Sequence, residues 1–279
     1  MRYILCCIDN KNFSQASCDY AVKISNTMNL PLKFLSIIEH HHKASKLNLS
    51  GNISLGEKDE ILYELTSEEE NESKEAIKNA KELLGKLKQR AQENCKNKIE
   101  TLLIHGEVVE NILELQNEIE VLVIGIRTNV EHAIGQNVKE IIRSIHKPVL
   151  LVNSEYIEPK NLLVAYNGSN ESIKLLLETS SNPIFKEVKR DIVNLNTDSS
   201  KSIALLEEAK NIYEKNQIEV STHTIKSENP KDLIEYFETN NFDILAMGAF
   251  GHSRFKELIF GSFTTKILSN IKKPILLFR

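Results

Sequence analysis

The sequence predicts an α/β protein built from two tandem doubly wound domains, each a five-stranded parallel sheet with helices on both faces. Three observations carry this. Short apolar runs alternate with stretches of helical periodicity, so the C-terminal half reads βαβαβαβαβ, the pattern of a parallel sheet covered on both sides. The same order can be traced through the N-terminal half. The two halves also rhyme in sequence: Ile119-Glu-Val-Leu-Val-Ile-Gly125 matches Phe242-Asp-Ile-Leu-Ala-Met-Gly248, and the Lys-Pro148-Val-Leu-Leu ending matches Lys-Pro274-Ile-Leu-Leu. The chain is therefore read as an internal duplication, with a first domain over residues 1–155 and a second over 156–279. The join lies where Glu155-Tyr-Ile-Glu-Pro159 breaks the strand pattern.

Each element has a local reason. In the first half the strands are the apolar runs 3–8, 32–38, 99–104, 120–124 and 148–152. In the second half, residues 161–166 form a strand closed by Asn167-Gly168-Ser169, a turn and a helix N-cap. A helical stretch runs through Leu177, and residues 191–195 form the next strand. Residues 199–216 place Ile203, Leu206, Ala209 and Tyr213 at helical steps of three and four. Residues 218–225 alternate as a strand, and Pro230 opens a helix where its missing N–H costs nothing. Residues 242–247 are a buried-strand run ending at Gly248. A helix starts near Gly261, and residues 274–278 close the chain as a strand.

The halves differ in length. Asp9 to Gly125 spans 116 positions and Asn167 to Gly248 spans 81, so the first half carries a net 35 extra. The excess sits at about 40–75. Residues 47–56 read as loop, and the acidic run 57–75 as a solvated face continuing into a long helix that ends near Cys95.

Composition excludes some functions. Lys and Arg total 35 and Asp and Glu 39, a net charge of −4, which argues against nucleic-acid binding by a broad basic surface. The apolar runs are strand-sized, far below the ~20 residues that span a bilayer. The N-terminal run ends at Asp9 without a small-residue cleavage site, so the expected location is cytoplasmic. Cys6, Cys7, Cys18 and Cys95 form no C-x-x-C pair, and adjacent Cys6 and Cys7 point to opposite faces of a strand. They read as reduced, small apolar residues.

Chemistry concentrates after the strand ending at Met247. Gly248, Gly251 and Gly261-Ser262 stand at G-x2-G-x9-G-S. Glycines at the carboxyl end of a strand let backbone approach a ligand closely. The helix opened by Gly261-Ser262 offers free N–H groups and its dipole to an anion, with hydroxyls from Ser262, Thr264 and Thr265 nearby. Open α/β sheets bind ligands at this end. The spacing fits neither the Walker P-loop nor the compact G-x-G-x-x-G of dinucleotide folds.

These residues resemble the universal stress protein family in its two-repeat form. The G-x2-G-x9-G-[ST] signature, the segment Met247-Gly-Ala-Phe-Gly-His-Ser-Arg254, the Lys-Pro-[VI]-Leu-Leu endings and the Gly168-Ser169 turn carry the resemblance over nearly the whole chain. It implies strand order 3-2-1-4-5 in each sheet and a stress-response role. It also implies a bound adenine nucleotide, ATP or AMP/ADP, with or without Mg. By position, Met247, Gly248, Gly251, Gly261, Ser262, Phe263 and Thr264 would contact ribose and phosphates. Ala165, Asn167 and Leu195 would surround the adenine. Arg254 and Lys256 would screen phosphate charge, although a solvated loop explains them as well. The family usually has Asp where this chain has Asn167, which adds donors and removes a charge.

The first half departs further. From Gly125 to Gly135 is 10 positions against 13 from Gly248 to Gly261, the middle glycine is absent, and Gln136 replaces the helix-opening Ser. No tight nucleotide site is expected there. Glu39-His40-His41-His42 reads as loop rather than metal site, since consecutive residues rarely converge on one ion. His252 has no evident carboxylate to orient it as a base. The preferred reading is a nucleotide-binding regulatory module, not an enzyme, acting through a protein partner or a homodimer, with the closing-strand edges open to repeat-to-repeat or subunit contact. Two readings stay open beside it: an interaction module without nucleotide, and a slow ATPase or nucleotide-dependent enzyme.

Overall fold

A computed structural model describes residues 2–8, 13–39, 55–126, 135–248 and 262–279, without the side chains of 55–70 and 262. The first repeat runs β1 (Tyr3–Cys7), α1 (Ser14–Met28), β2 (Leu32–Ile38), α2 (Leu55–Gln92), β3 (Ile99–His105), α3 (Val108–Leu115), β4 (Ile119–Gly125), α4 (Gln136–Ser144) and β5 (Val149–Val152). The second runs β6 (Asn161–Ala165), α5 (Asn170–Ser181), β7 (Lys189–Leu195), α6 (Ser199–Lys215), β8 (Val220–Ile225), α7 (Pro230–Thr239), β9 (Ile244–Gly248), α8 (Ser262–Asn270) and β10 (Ile275–Phe278).

All ten strands join in one sheet, in the order β3-β2-β1-β4-β5-β10-β9-β6-β7-β8. Each half is parallel and has the expected 3-2-1-4-5 order, a doubly wound arrangement present twice. The halves meet antiparallel, with Leu151 opposite Ile275, Leu150 opposite Leu276 and Val149 opposite Leu277. The closing-strand edges are thus used between the repeats. With β5 also paired to β4 and β10 to β9, neither of these edges is left for a second subunit.

One apolar layer packs α1, α2, α5 and α6 against one face of the sheet, and the other packs α3, α4, α7 and α8 against the opposite face. Both layers run through the junction: Leu150 and Leu276 belong to the first, Leu151 and Ile275 to the second. Cys6 and Cys7 divide between the faces as strand alternation requires. The connection between the repeats is tied down as well. Asn153 donates to the Ile271 carbonyl at 2.6 Å, the Tyr156 ring meets Tyr20 edge-on at 4.7 Å, and Glu158 pairs with Lys23.

One local reading changes, one short element is added, and the long helix after the loop starts slightly earlier than expected. Ile203 is half exposed, and Ser202 occupies the inner position of α6 instead, facing Thr224 with 2.9 Å between hydroxyl oxygens. The buried stripe of α6 is Ser202, Leu206, Ala209 and Tyr213. A 3-10 turn at Pro183–Phe185 lies between α5 and β7. The acidic run 57–75 and Gly56 lie within α2, 38 residues and about 57 Å long, which buries Ala80, Leu84, Leu87 and Ala91 at steps of four, three and four. Residues 47–54 lie outside the described residues, as do His40, His41 and His42. Among the described residues no helix is long and apolar enough to cross a membrane.

Candidate functional site

The described residues predicted for the second repeat's site lie at the carboxyl ends of β6, β7 and β9 and at the start of α8. Three strands carry their predicted residues to one place because they are adjacent and parallel. Ala165 stands opposite Met247 on one side and Val193 on the other. Leu195, two residues beyond Val193, and Ala165 both pack on the layer that carries α7 and α8. Met247 is buried, Gly248 is the last residue of β9, and Phe263 and Thr264 lie in the first turn of α8. Phe263 packs on the same apolar layer and Thr264 is buried. Ser262 opens α8. Gly251, Arg254, Lys256, Gly261 and His252 lie outside the described residues.

The turn after β6 is shaped by its own side chains. The Asn167 carboxamide oxygen accepts the Ser169 N–H at 3.0 Å, and the Ser169 hydroxyl caps α5 by accepting the Ser172 N–H at 3.2 Å. Between them Gly168 holds φ +76, and a Cβ there would lie 2.7 Å from Leu205 Cδ2. The backbone conformation requires glycine, and a Cβ would also have to push the end of the Leu205 side chain aside. Gly248 is needed for a different reason. A Cβ on it would meet Glu171 Cβ at 3.1 Å and the Ser172 nitrogen at 3.3 Å, so the end of β9 rests directly on the first turn of α5. This contact draws the turn after β6 and the start of the glycine loop together.

Sequence reasoning missed two residues here. Asn194, fully buried on β7, donates its amide to the Tyr166 carbonyl at 2.7 Å, while its own Oδ1 is enclosed with no hydrogen-bond partner among the described residues. A buried carbonyl left without a donor is unusual and calls for a cause. Its signal was legible: Asn stands inside the apolar run Ile192-Val-Asn-Leu195. Glu171 brings a carboxylate-bearing side chain against Gly248, and nothing in its local sequence marks it. Tyr166, between Ala165 and Asn167, is buried, which together with the charge of Glu208 pushes its phenol up to about 12. The crevice therefore combines backbone N–H groups at two helix starts, an amide, hydroxyls and an apolar floor. That combination suits a flat heteroaromatic group joined to an anion.

The first repeat is built differently at the same place. Gly125 ends β4 as Gly248 ends β9, but Asp9 and residues 127–134 lie outside the described residues. The first turn of α4 carries Gln136 and Asn137, with Gln136 bonded to Glu140 at 2.5 Å and Asn137 donating to Glu39 at 2.9 Å. Among the described residues, no group of three or more His, Cys, Asp and Glu gathers as a metal site.

Comparison with known proteins gives the same assignment. The sequence profile of the Universal stress protein family matches residues 1–153 and 187–279. The chain is 28% identical over 287 residues to universal stress protein Slr1230 of Synechocystis sp., covering the whole of both. Its fold is similar to the crystal structure of a universal stress protein from Archaeoglobus fulgidus, with a TM-score of 0.70 at 16% identity over 99% of this chain and 96% of that one. A Pseudomonas aeruginosa structure described as a putative universal stress protein is also similar, with a TM-score of 0.65 at 12% identity over 100% and 93%. With the profile matched in both halves of a sheet that carries the 3-2-1-4-5 order twice, this chain belongs to the universal stress protein family.

Proposed function

We propose that the second repeat, residues 156–279, binds ATP or a related adenine nucleotide and that the chain acts as a stress-response regulatory module. The observation that supports this is the contact of Gly248, at the end of β9 and the first glycine of the signature, with the first turn of α5, next to the turn after β6. Ala165, Leu195 and Met247 supply the apolar walls for an adenine ring. The first turn of α8, with Ser262 and Thr264, supplies N–H groups and hydroxyls for phosphates without needing a basic surface. Gly251, Gly261 and Arg254 complete the set through the sequence signature. A Mg ion would enter with the phosphates. Binding would change a surface that a protein partner reads.

Asn167 sets this site apart. Its oxygen already accepts the Ser169 N–H, so the group it adds over an Asp is a donor, suited to a ring nitrogen of the base. The interaction-module reading rests on the same residue, because loss of the Asp charge removes one contact expected in the family.

The test is calorimetric titration of ATP, ADP and AMP, with and without magnesium, into the wild type and the Gly251→Val plus Ser262→Ala double variant. Affinity at least tenfold weaker in the variant supports the site, and unchanged affinity removes it. A phosphate-release assay on the same protein separates binder from enzyme. Multiple turnovers abolished by His252→Ala would establish the ATPase reading instead.

A further inference from the structure

We propose that the crevice of the first repeat is closed by the chain's own carboxylate: Glu39, held by Asn137, excludes anionic ligands from the start of α4. This inference concerns the first repeat and does not depend on what the second binds.

The geometry comes from the sheet order. In the first half the order is β3-β2-β1-β4-β5, so β2 and β4 flank β1. Glu39 is the residue after β2, and Asn137 is the second residue of α4, the helix that follows β4. Their bond, from Asn137 Nδ2 to Glu39 Oε1 at 2.9 Å and partly buried, joins the β2 side to the β4 side. It is therefore laid across the carboxyl end of β1. That is the switch point where an open α/β sheet holds its ligand. A carboxylate also sits favourably near a helix N-terminus, so Glu39 takes the electrostatic place that a phosphate would take.

The second repeat shows what the first has exchanged. Registering β2 on β7 through Leu35 and Val193 places Thr197 where the first repeat has Glu39, and counting from Gly135 and Gly261 places Phe263 where it has Asn137. Neither the carboxylate nor the amide that holds it has a counterpart there. The surroundings in the first repeat reinforce the exclusion. Asn137 also borders a groove of about 680 Å³ between α3 and α4, rimmed by Glu107, Glu110, Glu114 and Glu140, with no Lys or Arg among its described lining residues. An approaching phosphate meets negative charge on the wall and a carboxylate on the helix start.

The experiment uses the full chain, with AMP and inorganic phosphate as probes. The readouts are hydrogen exchange of the α4 amides, residues 136–144, and calorimetry. Glu39→Ala should allow AMP to protect these amides and should bind it in the first repeat at least tenfold more tightly than wild type. Glu114→Ala, which removes an equal charge from the groove rim, should behave like wild type. If Glu39→Ala does not fold, Asn137→Ala cuts the same bond and the same gain is expected. Equal protection of α4 by AMP in wild type and Glu39→Ala would overturn the proposal. So would absence of protection in a folded variant, or a gain in Glu114→Ala as large as in Glu39→Ala. Because α4 amides report on the first repeat alone, failure of nucleotide binding in the second repeat would leave this readout intact.

Discussion

Asn194 donates its side-chain amide to the Tyr166 carbonyl at 2.7 Å, tying the end of β7 to the backbone just before Asn167. The bond is fully buried, so nothing replaces it when it is cut. Asn194→Leu should cost about 1–3 kcal/mol, because the Tyr166 carbonyl loses a donor inside the protein. It should also weaken nucleotide binding severalfold by releasing the Asn167 turn. Urea unfolding and calorimetry on the same variant measure both effects. A variant that loses stability but binds nucleotide as tightly as wild type would show that Asn194 serves the fold alone.

Two glycines should respond oppositely to alanine. Gly168 holds a positive φ and faces Leu205, so Gly168→Ala is expected to lose about 1–2 kcal/mol. At the start of α4, Gly135 has φ −53 and, among the described residues, nothing within 4 Å of where a Cβ would stand, so Gly135→Ala should be neutral or slightly stabilising. Thermal unfolding of the two variants side by side decides it.

Stability should fall steeply in alkali. Burial pushes the phenols of Tyr20, Tyr166 and Tyr213 up to about 12, against about 10 for an exposed tyrosine. Tyr213, on the buried face of α6, shares a hydrogen bond with the Thr179 hydroxyl. A folded-state value above the unfolded one means the neutral phenols stabilise the fold fully below pH 10. That contribution is lost as pH rises from 10 through 12, by about 1.4 kcal/mol per pH unit for each phenol. Urea unfolding between pH 9 and 12 should show the decline, and Tyr213→Phe should make it shallower.

The two repeats should unfold together. Both apolar layers cross the β5–β10 junction, and Leu276 is buried there opposite Leu150. Leu276→Asp buries a charge in that seam and should lower the unfolding midpoint of both halves, read by hydrogen exchange in β1 and in β6. Independent unfolding of the halves in wild type would contradict a shared core.

Much of this architecture was legible in the residues. Strand runs, the Ser169 cap, Pro230 at the first turn of α7 and the rhyme between Gly125 and Gly248 are local signals, and each reappears as a local feature. The misplacement of Ile203 shows the limit of periodicity: Ser202 lies one residue away and wins the inner position through its contact with Thr224. What could not be read were relationships across long separations. Contact between the closing strands is among the expectations the residues carry, but its antiparallel direction and the register of Val149–Leu151 with Ile275–Leu277 leave no mark in two similar apolar runs. The reach of Glu39 to Asn137, 98 positions apart, depends on the strand order. Within the candidate site, the glycine spacing was visible, whereas the support from Asn194 and the contact of Gly248 with Glu171 arise only when the strands are side by side.

The most direct test of one open and one closed crevice is the number of adenine nucleotides bound per chain, measured by equilibrium dialysis of the full-length protein at saturating ATP. The expected result is one per wild-type chain, falling to none in the Gly251→Val plus Ser262→Ala variant. Two per chain, or one that survives in that variant, would contradict it.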